Sequence, residues 1–204
     1  MSSKIETVIF DLGGVLIDWN PEYVFRQVFE DPAEMQYFLT EVCSPEWNEQ
    51  QDAGRTLQEA TELLVGQFPH YEPQIRTYYD RWKDMLGGAI QDTVQILKVL
   101  HKQNKHRLYA LTNWSHETFP TALELFDFLH LFEGILVSGE EKMLKPDPRI
   151  YALILSRYNI DAGKTLFIDD NPKNVKGALE AGLNAVRFES PDQLSATLKS
   201  FDIL

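Results

Sequence analysis

A short apolar segment near the start of the chain ends in an aspartate. Thr7 to Phe10 are β-branched or aromatic, Asp11 follows directly, and Gly13–Gly14 come next. A segment of this kind is typical of a strand that is buried on both faces. Ligands of open α/β sheets bind at the carboxyl ends of the strands, so Asp11 is a candidate functional residue. An ordinary turn with Asp11 as a solvated cap is the alternative that this segment alone leaves open.

Length and composition limit the class of protein to which the chain can belong. Its 204 residues can bury one sizeable core and a smaller appended module. The apolar share of 44% and the charged share of 25% are typical of soluble globular proteins, and no apolar run is long enough to span a bilayer. Cys43 is the only cysteine and cannot form an internal disulfide, which fits a reducing compartment. We therefore expect a cytoplasmic protein with no membrane partner, and a monomer is favoured because no sustained heptads or large apolar stripe point to an obligate partner.

The net charge of −12 argues against a nucleic-acid partner, because the phosphate backbone would be repelled. An anionic small-molecule substrate would need a local positive charge, which either a metal ion or a placed lysine can supply.

The order of the predicted elements divides the chain into two parts. From Pro21 to Leu86 the pattern is helical, with helix starts at Pro21, Asp31–Pro32, Thr56 and Glu72–Pro73. From Ala89 onward, strands alternate with helices, and the predicted strands are 106–112, 134–138, 165–169 and 185–188. This alternation favours a parallel sheet with helices on both faces. We predict an α/β core of residues 1–17 and 88–204, with residues 18–87 as a small all-helical cap over the carboxyl edge of the sheet and Gly87–Gly88 as a hinge.

Polar side chains stand at or near the ends of three later segments of the core. Thr112–Asn113 offers a hydroxyl and an amide, and Lys145 lies in a proline-stiffened loop. Asp169–Asp170 ends another apolar strand, and two adjacent carboxylates normally require a cation or protons. Together with Asp11, they form a hard oxygen site suited to Mg²⁺. Taken singly, each of these groups is also compatible with a cap or a solvated charge.

The four segments Asp11-Leu-Gly-Gly-Val-Leu, Leu-Thr112-Asn113, Lys145-Pro-Asp-Pro and Ile-Asp169-Asp170-Asn resemble, in this order, the motifs of the haloacid dehalogenase-like (HAD) hydrolase superfamily. The resemblance spans essentially the whole chain and implies a Rossmann-like three-layer core with a cap in the first insertion position. It also implies catalysis by Mg²⁺ and an aspartyl-phosphate intermediate on Asp11.

By this resemblance, the Mg²⁺ ligands would be the Asp11 carboxylate, the Gly13 carbonyl and Asp170, with Asp169 acting through a water. The phosphoryl oxygens would be held by Thr112, Asn113, Lys145 and the backbone N–H groups of Leu12 and Gly13. The implied reaction is the hydrolysis of a small phosphomonoester.

One position departs from the superfamily pattern. Most phosphatases of the superfamily carry a second aspartate two residues after the nucleophile as general acid and base, and this chain has Gly13 there. Loss of a positioned proton donor typically lowers a rate by about 10²–10⁴-fold, which argues against a phosphomutase but leaves a phosphatase with a good leaving group possible.

The opening motif and the segment from Trp47 to Arg55 are similar to a branch that includes α-D-glucose-1-phosphate phosphatases. Asp18 is a candidate for a displaced acid or, preferably, a cap anchor.

Two other functions remain open. A 2-haloacid dehalogenase would use Asp11 to attack carbon without a metal, with pocket residues drawn from Arg26, Arg55, Trp47 and Trp82; the Asp169–Asp170 pair argues against it. A weakly active binding or regulatory protein is supported only by Gly13.

Several cap aromatics, among them Trp19, Phe25, Tyr78 and Tyr79, are candidates for a pocket wall, but none is assigned to a site because aromatic residues at helical spacing are more often core.

Overall fold

The computed structural model of the protein describes residues 4–204, so residues 1–3 of the expected core range lie outside the described part. The strands are β1 (Thr7–Phe10), β2 (Ile17–Trp19), β3 (Leu86–Ala89), β4 (Arg107–Thr112), β5 (Gly134–Val137), β6 (Thr165–Asp169) and β7 (Asn184–Arg187). The α-helices are α1 (Glu22–Phe25), α2 (Pro32–Tyr37), α3 (Pro45–Asp52), α4 (Leu57–Gln67), α5 (Glu72–Asp80), α6 (Gln91–Gln103), α7 (Phe119–Leu125), α8 (Ser138–Glu141), α9 (Pro148–Arg157), α10 (Pro172–Glu180) and α11 (Pro191–Ser200). Within residues 4–204, no helix has both the length and the apolar character that a membrane crossing requires.

Five strands form a parallel sheet in the order β5-β4-β1-β6-β7. Phe10 at the end of β1 lies opposite Ala110 of β4 and Ile168 of β6, so the three strands end near the same level. The chain fills one side of β1 with β4 and β5 before it crosses to the other side with β6. The carboxyl edge between β1 and β6 is therefore the point where the strand order reverses, and ligands of open α/β sheets bind at such a point.

Both faces of the sheet are covered, as the continuous apolar character of its strands predicts. Val8 and Phe10 point to a buried cluster that includes side chains of α6 and α11. Ile9, one residue out of phase, belongs to a second buried cluster with side chains of α9 and α10. The sheet therefore lies between two helical layers, which confirms the predicted Rossmann-like three-layer α/β fold.

The helical segment between β2 and β3 has a buried cluster of its own. Phe25 lies at its centre, with ring centroids 5.0 Å from Phe38 and 5.8 Å from Tyr78. Of its helices, α1, α2, α4 and α5 begin within one residue of the predicted starts, and the Thr56 hydroxyl caps α4 by accepting the N–H of Glu59 at 3.2 Å. Helix α3 was not predicted from the sequence; its cap is Ser44, whose hydroxyl accepts the N–H of Trp47 at 3.2 Å.

Two short strands lie where the chain enters and leaves the helical segment. Strands β2 and β3 pair antiparallel, with Asp18 opposite Gly88, a pairing that the sequence did not reveal. The Asp18 carboxylate accepts the Tyr23 hydroxyl at 2.6 Å and lies against Gly87. This pair spans both predicted domain boundaries, and the division at residues 17/18 and 87/88 stays a prediction.

Candidate active site

The polar side chains at the strand ends converge on one edge of the sheet. Asp11 follows β1, Thr112 ends β4, and Asp169 ends β6 with Asp170 next to it. The N–H of Asp11 donates to the carbonyl of Ile168 at 2.8 Å, so the ladder between β1 and β6 continues up to the first acidic residue. Because both strands are fully buried, their register is set by packing on both faces. The carboxylates are therefore positioned by the sheet rather than by a loop.

Lys145 supplies a buried positive charge at this edge. Its ammonium lies 2.8 Å from Asp11 Oδ1 and 2.7 Å from Asp169 Oδ2, and its side chain is fully buried. Burial alone would lower the pKa of Lys145, but the two carboxylates outweigh it and raise that pKa. The lysine therefore stays charged and acts as a fixed counter-ion.

Two buried carboxylates share the ammonium of Lys145, so one negative charge is not compensated. The consequence is seen in the pKa of Asp11. Burial raises the pKa of Asp11 to about 8, and the Asp169 carboxylate adds to the rise while Lys145 opposes it. The N–H of Leu12 also donates to Asp11 Oδ1, at 2.7 Å. In this structure, then, the Leu12 N–H is bound to the proposed nucleophile itself.

Asp169 is held on both of its oxygens. Oδ2 meets Lys145, Oδ1 accepts the N–H of Asn171 at 2.8 Å, and the Asn174 amide donates to both oxygens at 3.1 Å. Asn174 lies on α10 and is buried, and the sequence analysis did not single it out. The only signal for it was its position on the helix that begins directly after the acid pair.

Asp170 is exposed and lies against the turn that follows Asp11. Gly14 has a φ of +72°, and a Cβ there would lie 2.6 Å from Asp170 Oδ2, so this position requires glycine both for its backbone and for its neighbour. Gly13 differs, because a Cβ on it would meet nothing within 4 Å. The space where most superfamily phosphatases carry the second aspartate is therefore open.

The acidic residues fit a divalent cation. Asp11, Asp169 and Asp170 each offer an oxygen, and these oxygens lie within 4.8 Å of one another. Although Asp170 is exposed, partial desolvation of its carboxyl and the charge of the adjacent Asp169 raise its pKa as well, as expected for crowded carboxylates. A set of hard oxygen donors with excess negative charge suits Mg²⁺.

Thr112 and Asn113 lie at the end of the neighbouring strand β4, and they differ in whether their side chains are hydrogen-bonded. The Thr112 side chain is buried, and within residues 4–204 its Oγ1 has no hydrogen-bond partner. The Asn113 amide is paired with the backbone of Lys145: its Oδ1 accepts the N–H at 2.8 Å, and its Nδ2 donates to the carbonyl at 3.0 Å. Thr112 thus has unused hydrogen-bonding capacity, whereas Asn113 positions the loop that carries the lysine and keeps one N–H available.

A cleft of about 440 Å³ opens above these residues, between the sheet edge and the helical segment. Asp11, Gly13, Asp170 and Asn113 line its floor. Part of its wall is aromatic and comes from Trp19, Tyr78, Tyr79, Trp82 and Trp114.

Of the other residues considered from the sequence, Phe25, Trp47, Arg26 and Arg55 do not line this cleft. Arg26 pairs with Glu22, and Arg55 donates to Gln51 and to the carbonyl of Trp47. Within the described residues, the cleft is lined by no arginine.

Comparison with known proteins decides the family. The sequence model for haloacid dehalogenase-like hydrolases matches residues 5–182. The chain belongs to this family. As a HAD-like hydrolase, it shares with the other members the fold on which these strand-end residues stand.

Two relatives and one solved structure illustrate the range of the family. A sesquiterpene phosphatase of Aspergillus oryzae is 26% identical over 183 residues, which cover 90% of this chain and 89% of that protein. An (S)-2-haloacid dehalogenase of Burkholderia cepacia is 29% identical over 124 residues, covering 56% of this chain and 53% of that protein. A HAD family enzyme of Bacteroides thetaiotaomicron, solved as a magnesium complex, superposes with a TM-score of 0.75 at 22% identity and covers 97% of this chain and 100% of that one.

Proposed function

We propose that the protein is a Mg²⁺-dependent phosphatase that hydrolyses a small phosphomonoester through an aspartyl-phosphate intermediate on Asp11. The observation that carries this proposal is the position of the Asp11 carboxylate. It lines the floor of the cleft, 2.8 Å from the buried ammonium of Lys145 and grouped with Asp169 and Asp170. A similar length and overall sequence in a relative named as a phosphatase supports the same reaction.

In the proposed reaction, Asp11 attacks phosphorus and the bond to the leaving oxygen breaks in line with it. Water then attacks the phosphorus of the acyl phosphate, which releases inorganic phosphate and restores the carboxylate. Lys145 and the unpaired hydroxyl of Thr112 are suited to hold phosphoryl oxygens, joined by the remaining N–H of Asn113 and the backbone N–H of Gly13. The Leu12 N–H would have to exchange Asp11 for the phosphoryl group to take part.

The proposed ligands of Mg²⁺ are the Asp11 carboxylate, the Gly13 carbonyl and Asp170, with Asp169 contributing through a water. When bound, the ion supplies positive charge that offsets the phosphoryl oxygens and the crowded carboxylates. Asp11 must be ionised to act as a nucleophile, and its raised pKa therefore favours a reaction that depends on the cation.

A 2-haloacid dehalogenase is the second candidate, favoured by the relative with that activity in its name. Two observations oppose it. A metal-free attack on carbon has no use for the group of three carboxylates, and within the described residues no arginine lines the cleft to bind the substrate carboxylate.

The test is phosphate release from p-nitrophenyl phosphate and from a panel of sugar, aryl and alkyl phosphates, since the aromatic wall of the cleft admits several leaving groups. We expect turnover with Mg²⁺, loss of turnover in EDTA, and a fall by several orders of magnitude in Asp11→Asn. Asp127→Asn, an exposed aspartate that does not line the cleft, is the matched control. Halide release from 2-haloacids that persists in EDTA would replace this proposal with the dehalogenase.

A further inference from the structure

The proposed reaction needs a proton donor that the sequence does not supply at its usual place. The leaving oxygen must be protonated, and the attacking water must lose a proton. Gly13 has no side chain for either task. If the protein is the proposed phosphatase, another residue must perform both steps, and the assignment of that residue rests on the proposed activity.

Few side chains of the cleft can carry a proton to the substrate. The candidates that line it are Asp11, Cys43, Glu49, Asp52, Tyr78, Tyr79 and Asp170. Asp11 is the proposed nucleophile, and Asp170 is a proposed ligand of Mg²⁺. Burial raises the pKa of Cys43, Tyr78 and Tyr79, which makes these groups poor proton shuttles near neutral pH. Glu49 and Asp52 remain; Glu49 is solvent-exposed, whereas Asp52 is partly buried.

Asp52 is the last residue of α3, and the core holds it in place. Its carbonyl accepts the hydroxyl of Ser138 at 2.6 Å, and the same hydroxyl accepts the N–H of Trp114 at 2.9 Å. A few residues later, the N–H of Leu57 donates to Glu117 of the core at 2.8 Å. The end of α3 is therefore attached to the loop that follows Thr112 and Asn113, although it belongs to the helical segment.

Asp52 lines the cleft and lies close enough to the reacting groups to interact with them electrostatically. The backbone N–H of Ser115, in the loop after β4, and the ammonium of Lys145, which lies 2.8 Å from Asp11, both act to lower the pKa of the Asp52 carboxyl. Ser115 and Asp52 both line the cleft that contains Asp11 and Gly13. Asp52 thus lines the same cleft as Asp11, but it comes from helix α3 of the helical segment and not from the turn after β1.

We propose that Asp52 is the general acid and base of this enzyme and replaces the aspartate that is absent at Gly13. In the first step, as the phosphorus–oxygen bond to the leaving group breaks, the Asp52 proton moves to the leaving oxygen. The products of this step are the free alcohol, the aspartyl phosphate and the Asp52 carboxylate. In the second step, that carboxylate takes a proton from the attacking water, the acyl phosphate bond breaks, and Asp11 and inorganic phosphate are released.

The electrostatic surroundings suit both steps. Burial raises the pKa of Asp52 to about 7, and the Glu49 carboxylate on the same helix adds to the rise. The Ser115 N–H and Lys145 oppose it, and the phenols of Tyr78 and Tyr79 face it from α5. A group with a pKa near the working pH is the most effective at both donating and accepting a proton.

The test compares leaving groups in Asp52→Asn. An alkyl phosphate needs a proton on its leaving oxygen, whereas p-nitrophenolate leaves without one. We expect kcat/KM for the alkyl phosphate to fall by about 10²–10⁴-fold, and that for p-nitrophenyl phosphate by less than about tenfold. The decline of the alkyl-phosphate kcat/KM above about pH 7 in the wild type should be absent from the variant.

Three further variants test whether the effect is specific to the carboxyl of Asp52. Glu46→Gln, an exposed carboxylate on the same helix that does not line the cleft, should behave as wild type. Asp52→Glu should recover part of the alkyl-phosphate rate. Gly13→Asp in the Asp52→Asn background should also recover part of it, because the space at Gly13 is open.

A titration without turnover provides an independent measurement. Carbon-detected NMR of the metal-free protein should show an aspartate carboxyl that titrates near pH 7, apart from Asp11 near pH 8, and this signal should be missing in Asp52→Asn. A titration near pH 4 would overturn the proposal, because the group would have no proton to give. Equal losses for both leaving groups, with Asp11→Asn still inactive, would overturn the role of Asp52 and leave the phosphatase intact. If the wild type releases no phosphate from any substrate, both proposals fall together.

Discussion

Gly14 lies in the turn after Asp11, where its backbone packs against Asp170 of the Asp169–Asp170 pair. Its positive φ costs a residue with a Cβ about 1–2 kcal/mol, and the new carbon would lie 2.6 Å from Asp170 Oδ2. We therefore expect Gly14→Ala to lower the free energy of unfolding by about that amount and to weaken Mg²⁺ binding by displacing Asp170. Urea unfolding and isothermal titration with Mg²⁺ measure the two effects.

Gly13→Ala is the matched control for the stability effect. Its Cβ would meet no atom within 4 Å, and Gly13 is not among the residues with positive φ. Its free energy of unfolding should stay within about 0.5 kcal/mol of the wild type. If both alanine variants are equally stable, the contact between Gly14 and Asp170 does not constrain the loop.

The end of β5 and the end of α3 meet at one buried hydroxyl. Ser138 has no exposed surface, and it joins the N–H of Trp114 to the carbonyl of Asp52. Ser138→Ala removes a partner from two backbone groups, and leaving buried polar groups unsatisfied costs about 1–3 kcal/mol. We expect a loss of this size in urea unfolding, together with faster amide exchange in residues 52–57.

Ser156→Ala tests whether the loss is specific to this contact. The Ser156 hydroxyl is exposed and donates only to a carbonyl of its own helix, that of Leu153. This variant should change the free energy of unfolding by less than about 0.5 kcal/mol. A similar loss in both variants would mean that the hydroxyl of Ser138 does not hold the two segments together.

The protein as a whole carries a net charge of −12, and three of its carboxylates are crowded at one sheet edge. Burial raises the pKa of Asp11 to about 8 and raises that of Asp170 as well. The folded protein therefore holds protons that the unfolded chain has lost above about pH 4. In EDTA, this contribution to stability is complete below that pH and is lost as the pH rises towards about 8.

Mg²⁺ should reverse this trend. At a free concentration 100-fold above its dissociation constant, a ligand of the folded state adds about 2.7 kcal/mol. Because protons compete for the same carboxylates, the gain in unfolding free energy should be larger at about pH 8 than at about pH 6. Urea unfolding at both values, with sodium chloride at matched ionic strength, measures it. An equal gain in Asp170→Asn would show that the cation binds elsewhere.

Local patterns predicted much of this protein. Continuous apolar runs identified the buried strands β1, β4 and β6, because burial on both faces confines polar residues to the ends of a strand. The polar residues after these runs predicted that Asp11, Thr112 and Asp169 lie close together, since the carboxyl ends of parallel strands share one edge. The α/β core, the helical insertion and the family followed from the same segments.

The tertiary structure alone decided how distant residues meet. Strands β2 and β3 pair across the whole helical segment, and neither has an alternating pattern long enough to be recognised. The Asn174 amide donates hydrogen bonds to Asp169, and the Asn113 amide is hydrogen-bonded to the backbone of Lys145. Asp52 lines the cleft, and its carbonyl is bound to Ser138 of the core, which follows it by 86 residues in the sequence. Sequence periodicity records whether a side chain is buried, but which side chains share a cavity depends on how the crossovers and the cap fold back over the sheet.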